Sequence, residues 1–165
     1  MNSISKEWLV GFIEGEGNFN VSLSKSHKKY HPNYSFEYYP ILQFRIFLRE
    51  DDLSVLEKIR STLSIGNIYK KSYAYSRKKG INSRDQYAFY ITGLKDLFKL
   101  KEFLSSCEFH TKKKKDMEKF FKILELKAEN KHLTPEGYLQ VISLANSMNS
   151  QARTNFRVKQ ANEHL

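Results

Sequence analysis

The sequence predicts an α+β domain with one antiparallel sheet and its helices gathered on one face. Three observations point there. Apolar residues recur at helical spacing in some windows and alternate with polar residues in others. The segments run helix, two strands, helix, two strands, then helices, with no linker and no internal repeat. The chain has 165 residues, 40% of them hydrophobic, which is enough to bury a core. Residues 1–149 therefore read as one domain and 150–165 as a polar C-terminal tail.

The elements follow in order. Residues 5–14 form a first helix with Ser5 as its N-cap. Residues 18–24 switch to period two: Phe19, Val21 and Leu23 face inward, Asn20, Ser22 and Ser24 outward. A polar, basic and aromatic stretch over 25–39 carries Lys25, Lys28, Lys29 and Tyr30. Alternation resumes at 41–48, with Leu42, Phe44, Ile46 and Leu48 on one face and Gln43 and Arg45 on the other. Asp51 or Asp52 caps a second helix running through about Leu63, with Leu53, Leu56, Ile59 and Leu63 at helical spacing and Gly66 as the breaker.

Residues 67–76 read as a third strand, with Tyr69, Lys71, Tyr73 and Tyr75 sharing a face. Arg77-Lys78-Lys79-Gly80 makes a basic turn, with Arg84 following. Residues 86–92 give a fourth strand: Tyr87, Phe89 and Ile91 face inward, Gln86, Ala88 and Tyr90 outward. Helices follow at about 94–106, 113–129 and 135–148, the last opened by Thr134 as N-cap and Pro135 at the first helical position.

Composition narrows the function. There are 28 Lys and Arg against 18 Asp and Glu, a net charge of +10, which favours a polyanionic partner such as nucleic acid. The outward sheet positions combine amides, guanidiniums and aromatic hydroxyls with few acids, and such groups read base edges and phosphates. We therefore expect DNA contacts from Asn20, Ser22, Ser24, Lys25, Lys28, Lys29 and Tyr30 around the first strand. Gln43 and Arg45 join them from the second strand, and Tyr69, Lys71, Tyr73, Arg77, Arg84, Gln86 and Tyr90 from the third and fourth.

No apolar run is long enough to span a bilayer as a helix, and no secretory pattern or membrane partner is expected. Cys107 is the only cysteine, so an intrachain disulfide is impossible, a cysteine-based zinc site is not expected and a reducing compartment fits. His27, His31, His110, His132 and His164 are scattered without zinc-ligand spacing.

The most informative stretch is Leu9-Val10-Gly11-Phe12-Ile13-Glu14-Gly15-Glu16-Gly17. On a helix, Gly11 and Gly15 share one face and leave a flat stripe along which another backbone can approach. Glu14 and Glu16 crowd the C-terminal end, where the helix dipole is already negative. Two acids sit poorly there unless a cation comes to them.

With Trp8 before it and Asn18-Phe19 after, this stretch resembles the signature of the LAGLIDADG homing endonucleases, although both acids are Glu where many members have Asp. Asp52-Leu53-Ser54-Val55-Leu56-Glu57-Lys58-Ile59 is similar to the family's second helix. His132-Leu133-Thr134-Pro135-Glu136-Gly137 and Ser147-Met148-Asn149 are similar to its C-terminal signature. The resemblance covers most of residues 5–149.

The resemblance implies an αββαββα fold with a saddle-shaped antiparallel sheet and an intron-encoded, site-specific double-strand DNA endonuclease. Its cofactor would be Mg2+, with Mn2+ or Ca2+ able to occupy the same site. The metal would be held by Glu16 with the backbone carbonyl of Gly15, while Glu14 serves mainly a structural role. The catalytic residues would be Glu16 and Lys113, the latter lying three residues before Asp116 in the run Lys112-Lys113-Lys114-Lys115.

One motif supplies one such carboxylate, so the resemblance implies a homodimer joined through Trp8, Gly11, Phe12 and Gly15. Its target would be a long pseudo-palindromic duplex, bound in the major groove and cut across the minor groove to leave short 3′ overhangs. There is one departure: Leu48 stands where some relatives carry a polar residue that orders active-site water, so either Arg49 or Arg45 substitutes or the water network differs. The alternatives are an RNA-binding maturase acting on its own intron, and a DNA-binding protein that has lost cleavage. Richness in Lys, Asn, Ile, Tyr and Phe suggests AT-rich codons and an organelle, chloroplast or mitochondrion, with archaeal settings also known for single-motif relatives.

Overall fold

The computed structural model describes residues 4–26, 35–36 and 38–148. Helix α1 (Lys6–Glu16) leads into strands β1 (Asn18–Lys25) and β2 (Tyr38–Arg49). A 3-10 turn (Glu50–Asp52) opens α2 (Leu53–Leu63), followed by β3 (Asn67–Lys71), a short helix α3 (Ala74–Lys78) and β4 (Gln86–Ile91). Helices α4 (Leu94–Ser105), α5 (Lys113–Ala128) and α6 (Pro135–Asn146) complete the chain. The four strands form one antiparallel sheet in the order β1-β2-β4-β3, so the α+β expectation holds. Among the described residues no helix is long and apolar enough to cross a membrane.

The contacts cluster into two compact units. The first comprises Met1–Asn18 and Gln43–Thr111. In it β2 pairs with β4 (Phe44 opposite Ile91, Ile46 opposite Phe89), and β3 pairs with β4 (Ile68 opposite Phe89). Leu9, Ile13, Phe44, Ile46, Leu56, Ile59, Phe89 and Leu97 are fully buried there. Apolar burial at these positions is the main stabilising term.

The second unit comprises Phe19–Leu42 and Lys112–Leu165. Phe19 packs tilted against Phe120 and edge-on against Phe121, with ring centroids 5.5 and 5.8 Å apart. The rings of Phe36 and Tyr138 stack at 4.2 Å beside buried Leu23 and Ile142. Thr134 caps α6 by accepting the N–H of Gly137, with Pro135 at the first helical position, as the sequence indicates.

The alternation read in β1 is reproduced: Phe19, Val21 and Leu23 are buried and Asn20, Ser22 and Ser24 half-exposed. Two boundaries here differ. Helix α1 runs two residues further than expected, so Glu16 is its last residue. Strand β2 starts at Tyr38, because Tyr38-Tyr39-Pro40 is apolar enough to join the sheet despite the proline. Helix α2 ends at Leu63 as expected, closed by Ser64 in the left-handed conformation (φ 53°). Gly66, at φ +80°, serves the entry to β3, where a Cβ would strike the Phe89 ring and the Tyr90 carbonyl.

The expected strand over 67–76 stops at Lys71, and Tyr75 lies in α3. The cause is non-local. Asp85 accepts the backbone N–H of Tyr73 at 2.9 Å and the Arg77 guanidinium at 2.6 Å, which turns the chain into one helical turn. The basic turn is thus partly helical, with Gly80 at φ +77° closing it. Ala88 lies on the outward face as expected but is buried, while Leu48, expected inward, is only half-buried. The expected tail over 150–165 lies outside the described residues.

Candidate functional site

The end of α1 is built from its glycines and acids. Ser5 caps the helix by accepting the Trp8 N–H at 3.2 Å. Leu9, Val10 and Ile13 turn into the core. Trp8, Gly11 and Gly15 are exposed, and a Cβ added at Gly11 or Gly15 would meet nothing within 4 Å. The chain's own packing therefore does not require glycine at either position. Trp8 and Phe12 stack face to face beside them, with ring centroids 4.8 Å apart and an 11° tilt. On the other flank, a cavity of about 450 Å³ is lined by residues including Lys6, Val10, Gly11, Cys107 and His110.

Gly17 differs from the two exposed glycines. It donates its N–H to the Ile13 carbonyl at 2.9 Å, and a Cβ there would lie 2.6 Å from that oxygen and 3.1 Å from the Phe44 ring. This close approach ends the helix.

The two acids have separate fates. Glu14 Oε1 accepts the backbone N–H groups of His110 at 2.8 Å and Thr111 at 2.7 Å. Desolvation works against its ionisation, but the Thr111 and His110 donors outweigh it and hold the carboxyl below its ordinary value. Glu16 is exposed, and among the described residues nothing forms a hydrogen bond or ion pair with its carboxylate.

Glu16 also lies at the negative end of the helix dipole, in a last turn that holds no basic residue. Among the described residues no cluster of three or more His, Cys, Asp or Glu could hold a metal. One carboxylate at a helix C-terminus fits a hard divalent cation that fills the rest of its shell from water and phosphate oxygens.

Lys113 belongs to the second unit, as the first residue of α5, with Asp116 in the same turn. It is half-buried, whereas Lys112, Lys114 and Lys115 are exposed. The same unit holds a buried cation that sequence reasoning missed. Lys127 donates its Nζ to the Pro40 carbonyl at 2.6 Å and lies 4.0 Å from the centre of the Tyr39 ring. Burial pushes its ammonium down to about 8. His132, also buried, is lowered by desolvation and by the Lys127 charge. No local pattern marks Lys127, because the groups that bury it, Tyr39 and Pro40, are distant in sequence.

The outward sheet positions fall into distinct groups. Asn20, Ser22 and Ser24 are half-exposed on β1 and Lys25 is exposed, while Lys28, Lys29 and Tyr30 lie outside the described residues, as do His27, His31, His164 and Asn149. On the β2, β4 and β3 face, register sets three rows: Arg45, Tyr90 and Asn67; Phe47, Ala88 and Tyr69; Arg49, Gln86 and Lys71.

Several groups near the Gln86 end are engaged with neighbours in the chain. The Tyr73 hydroxyl donates to Gln86 at 3.2 Å, and Arg77 is bound to Asp85. The Arg77 guanidinium and the Tyr73 N–H hold the Asp85 carboxyl at about 2. Lys70 lies between Glu50 and Asp85, and Asp51 pairs with Arg49 at 2.6 Å and more loosely with Arg84 at 3.8 Å. Acids are thus more frequent at this end than the sequence pattern suggested.

Near the Tyr90 end, Arg45 donates its Nε to Asn18 at 3.2 Å and lies over the Phe47 ring. Phe47, Asn67 and Thr92 were not expected among the outward groups. Extending period two past Arg45 would have found Phe47, and stepping back two residues from Tyr69 would have found Asn67.

A family model described as LAGLIDADG endonuclease matches residues 9–124. The chain is 28% identical over 140 residues to a probable intron-encoded endonuclease 3 of Neurospora crassa, covering 84% of this chain and 24% of that protein. It spans about a quarter of the length of the curated relatives it matches. Its structure is similar to the crystal structure of a homing endonuclease, I-TnaI, at TM-score 0.82 and 29% identity over 99% of both chains. It is also similar to I-SmaMI bound to an uncleaved DNA target in the presence of calcium ions. That likeness has TM-score 0.77 and 26% identity, over 95% of this chain and 49% of that one. With the signature stretch at the end of α1 and the sheet in place, this chain belongs to the LAGLIDADG endonuclease family.

Proposed function

We propose that this chain is an intron-encoded, site-specific double-strand DNA endonuclease that works as a homodimer with a divalent cation, Mg2+ by preference. The observation that carries the reading is the division of labour at the end of α1. Glu14 is spent on the backbone of His110 and Thr111, while Glu16 stands exposed at a helix C-terminus. A carboxylate that the fold leaves exposed at the negative end of a helix dipole supports a cation-holding role.

Glu16, with the Gly15 carbonyl, would hold the cation. A bound divalent cation supplies an activated water and neutralises charge at the scissile phosphate. Lys113 would set its ammonium against that phosphate as a point charge. Glu14 fixes the two residues that precede the lysine run in sequence. The outward sheet face would bind the duplex, Asn20, Ser22, Ser24 and Lys25 from β1 and Gln43, Arg45, Tyr69, Lys71 and Tyr90 from the other strands.

Two copies would pack along Gly11 and Gly15, with Trp8 and Phe12 beside the joint, so that each contributes one Glu16. The openness of both glycines supports this, and so does the chain's match to 49% of the larger I-SmaMI chain. The target is then long and pseudo-palindromic. The intron-encoded relatives and the AT-rich codon usage implied by the composition support an organellar setting.

A plasmid carrying the joined exons that flank the coding intron, incubated with wild-type protein and Mg2+, should be linearised at one site. Intact plasmid under conditions where the protein binds that duplex would defeat the proposal.

A further inference from the structure

The outward groups at the Tyr90 end of the first unit's sheet differ from those near Gln86. Gln43, Asn67, Tyr69, Tyr90 and Thr92 line a concave patch of about 230 Å³. Register places Asn67 directly opposite Tyr90, and the antiparallel pairing of Phe44 with Ile91, carried one residue further, brings Gln43 opposite Thr92. Among the described residues, neither the Gln43 nor the Asn67 side-chain amide makes a hydrogen bond. By contrast Gln86 is taken by Tyr73, and Asn18 by Arg45. Tyr69 is 57% exposed, and its ring stands edge-on to Tyr90 with centroids 6.0 Å apart. Tyr90 in turn meets Phe47 edge-on at 5.8 Å. No charged residue lines the patch.

These groups suit one kind of base pair. A side-chain amide offers one donor and one acceptor, which matches the N7 acceptor and N6 amino donor of adenine in the major groove. Aromatic faces and a threonine methyl provide apolar contact for the thymine C5-methyl. Guanine presents two acceptors and calls for two donors, as from Arg or Lys; none lines this concavity, and Arg45, in the row of Tyr90 and Asn67, donates to Asn18 and lies over the Phe47 ring.

We infer that this patch reads A·T pairs in each half-site, with Asn67 and Gln43 on adenine and Tyr69, Tyr90 and Thr92 against thymine methyl groups. The inference rests on the proposed reading of the sheet as the duplex-binding face, and it names what that face selects.

The test uses the full chain and a randomised duplex library, selected for binding in Ca2+. The chosen duplex is then titrated with deoxyuridine in place of thymidine, one position at a time, which removes only the methyl group. Wild type should lose about tenfold in affinity at one or two such positions per half-site, the scale of a single good base contact. Tyr69→Ala should bind the thymidine and deoxyuridine duplexes equally at one of those positions. Asn67→Ala should relax selection at an adjacent A·T pair.

Both side chains are exposed, so the variants should fold, and the deoxyuridine series needs no variant at all. A consensus that wild type binds equally well with uridine throughout would overturn the inference and leave the endonuclease reading standing. So would variants that relax selection only at G·C pairs. Failure of wild type to select any duplex would overturn both.

Discussion

Glu14 Oε1 accepts the backbone N–H of His110 at 2.8 Å, a bond between residues 96 positions apart in the sequence. The same oxygen takes the Thr111 N–H at 2.7 Å. A carboxylate that satisfies two amides at the end of a loop is a structural fastener, and charge makes each bond stronger than a neutral one. The two acids of one short motif are thereby separated by chemistry that no local pattern displays.

Glu14→Gln should cost about 1 kcal/mol near neutral pH, since the amide oxygen can still accept but without charge. The native carboxyl is held below its unfolded value, so its stabilisation is full above that unfolded value and fades as pH falls through the folded one. Urea unfolding of wild type and variant should therefore diverge at pH 7 and converge in acid. A difference independent of pH would show that the charge is not what matters.

Gly11→Leu should leave the subunit folded and break the proposed dimer. The space at Gly11 is open within the chain, so the added side chain meets nothing of its own subunit. Sedimentation should report a monomer with unchanged helical circular dichroism. Gly17→Ala is the opposite control: its Cβ would collide with the Ile13 carbonyl, so it should cost about 1–3 kcal/mol of stability through local overpacking. A Gly11→Leu protein that remains dimeric would remove the stripe from the interface.

Lys127 should make stability rise in mild alkali. Its folded value of about 8 lies below the ordinary 10.5, so above about pH 8 the unfolded chain holds more protons at this position than the native one. Below that pH the buried charge must be carried in the fold. Relative to Lys127→Met, wild type should gain about 2 kcal/mol between pH 7 and 9.5, on the scale of 1.36 kcal/mol per unit. A constant difference across that window would show Lys127 to be freely solvated.

The parts of the molecule that were legible are those set by local periodicity or by a cap. Phe19, Val21 and Leu23 announce β1, Leu56 and Ile59 announce α2, and Thr134-Pro135 announces α6. What escaped depends on contacts distant in sequence. Tyr73 and Tyr75 continue a plausible alternation, yet Asp85 reaches back to the Tyr73 N–H and folds the segment into α3. Arg77 has the chemistry of a phosphate contact, but the same carboxylate holds it. Lys127 is buried only because α5 meets the Tyr39–Pro40 segment of β2. At the motif, the positions of Glu14 and Glu16 were readable from the spacing, while the tie of Glu14 to His110 depended on a loop nearly a hundred residues away.

Under the proposed function, Glu16 and not Glu14 is the cation-holding carboxylate. The most direct measurement of this assignment is paired binding and cleavage by Glu16→Gln on the joined-exon duplex, with Mg2+ present. Glu16→Gln should keep wild-type affinity and lose about a hundred- to thousandfold in cleavage, on the scale of losing an electrostatic group made for the transition state. Cleavage by Glu16→Gln at the wild-type rate would contradict the assignment.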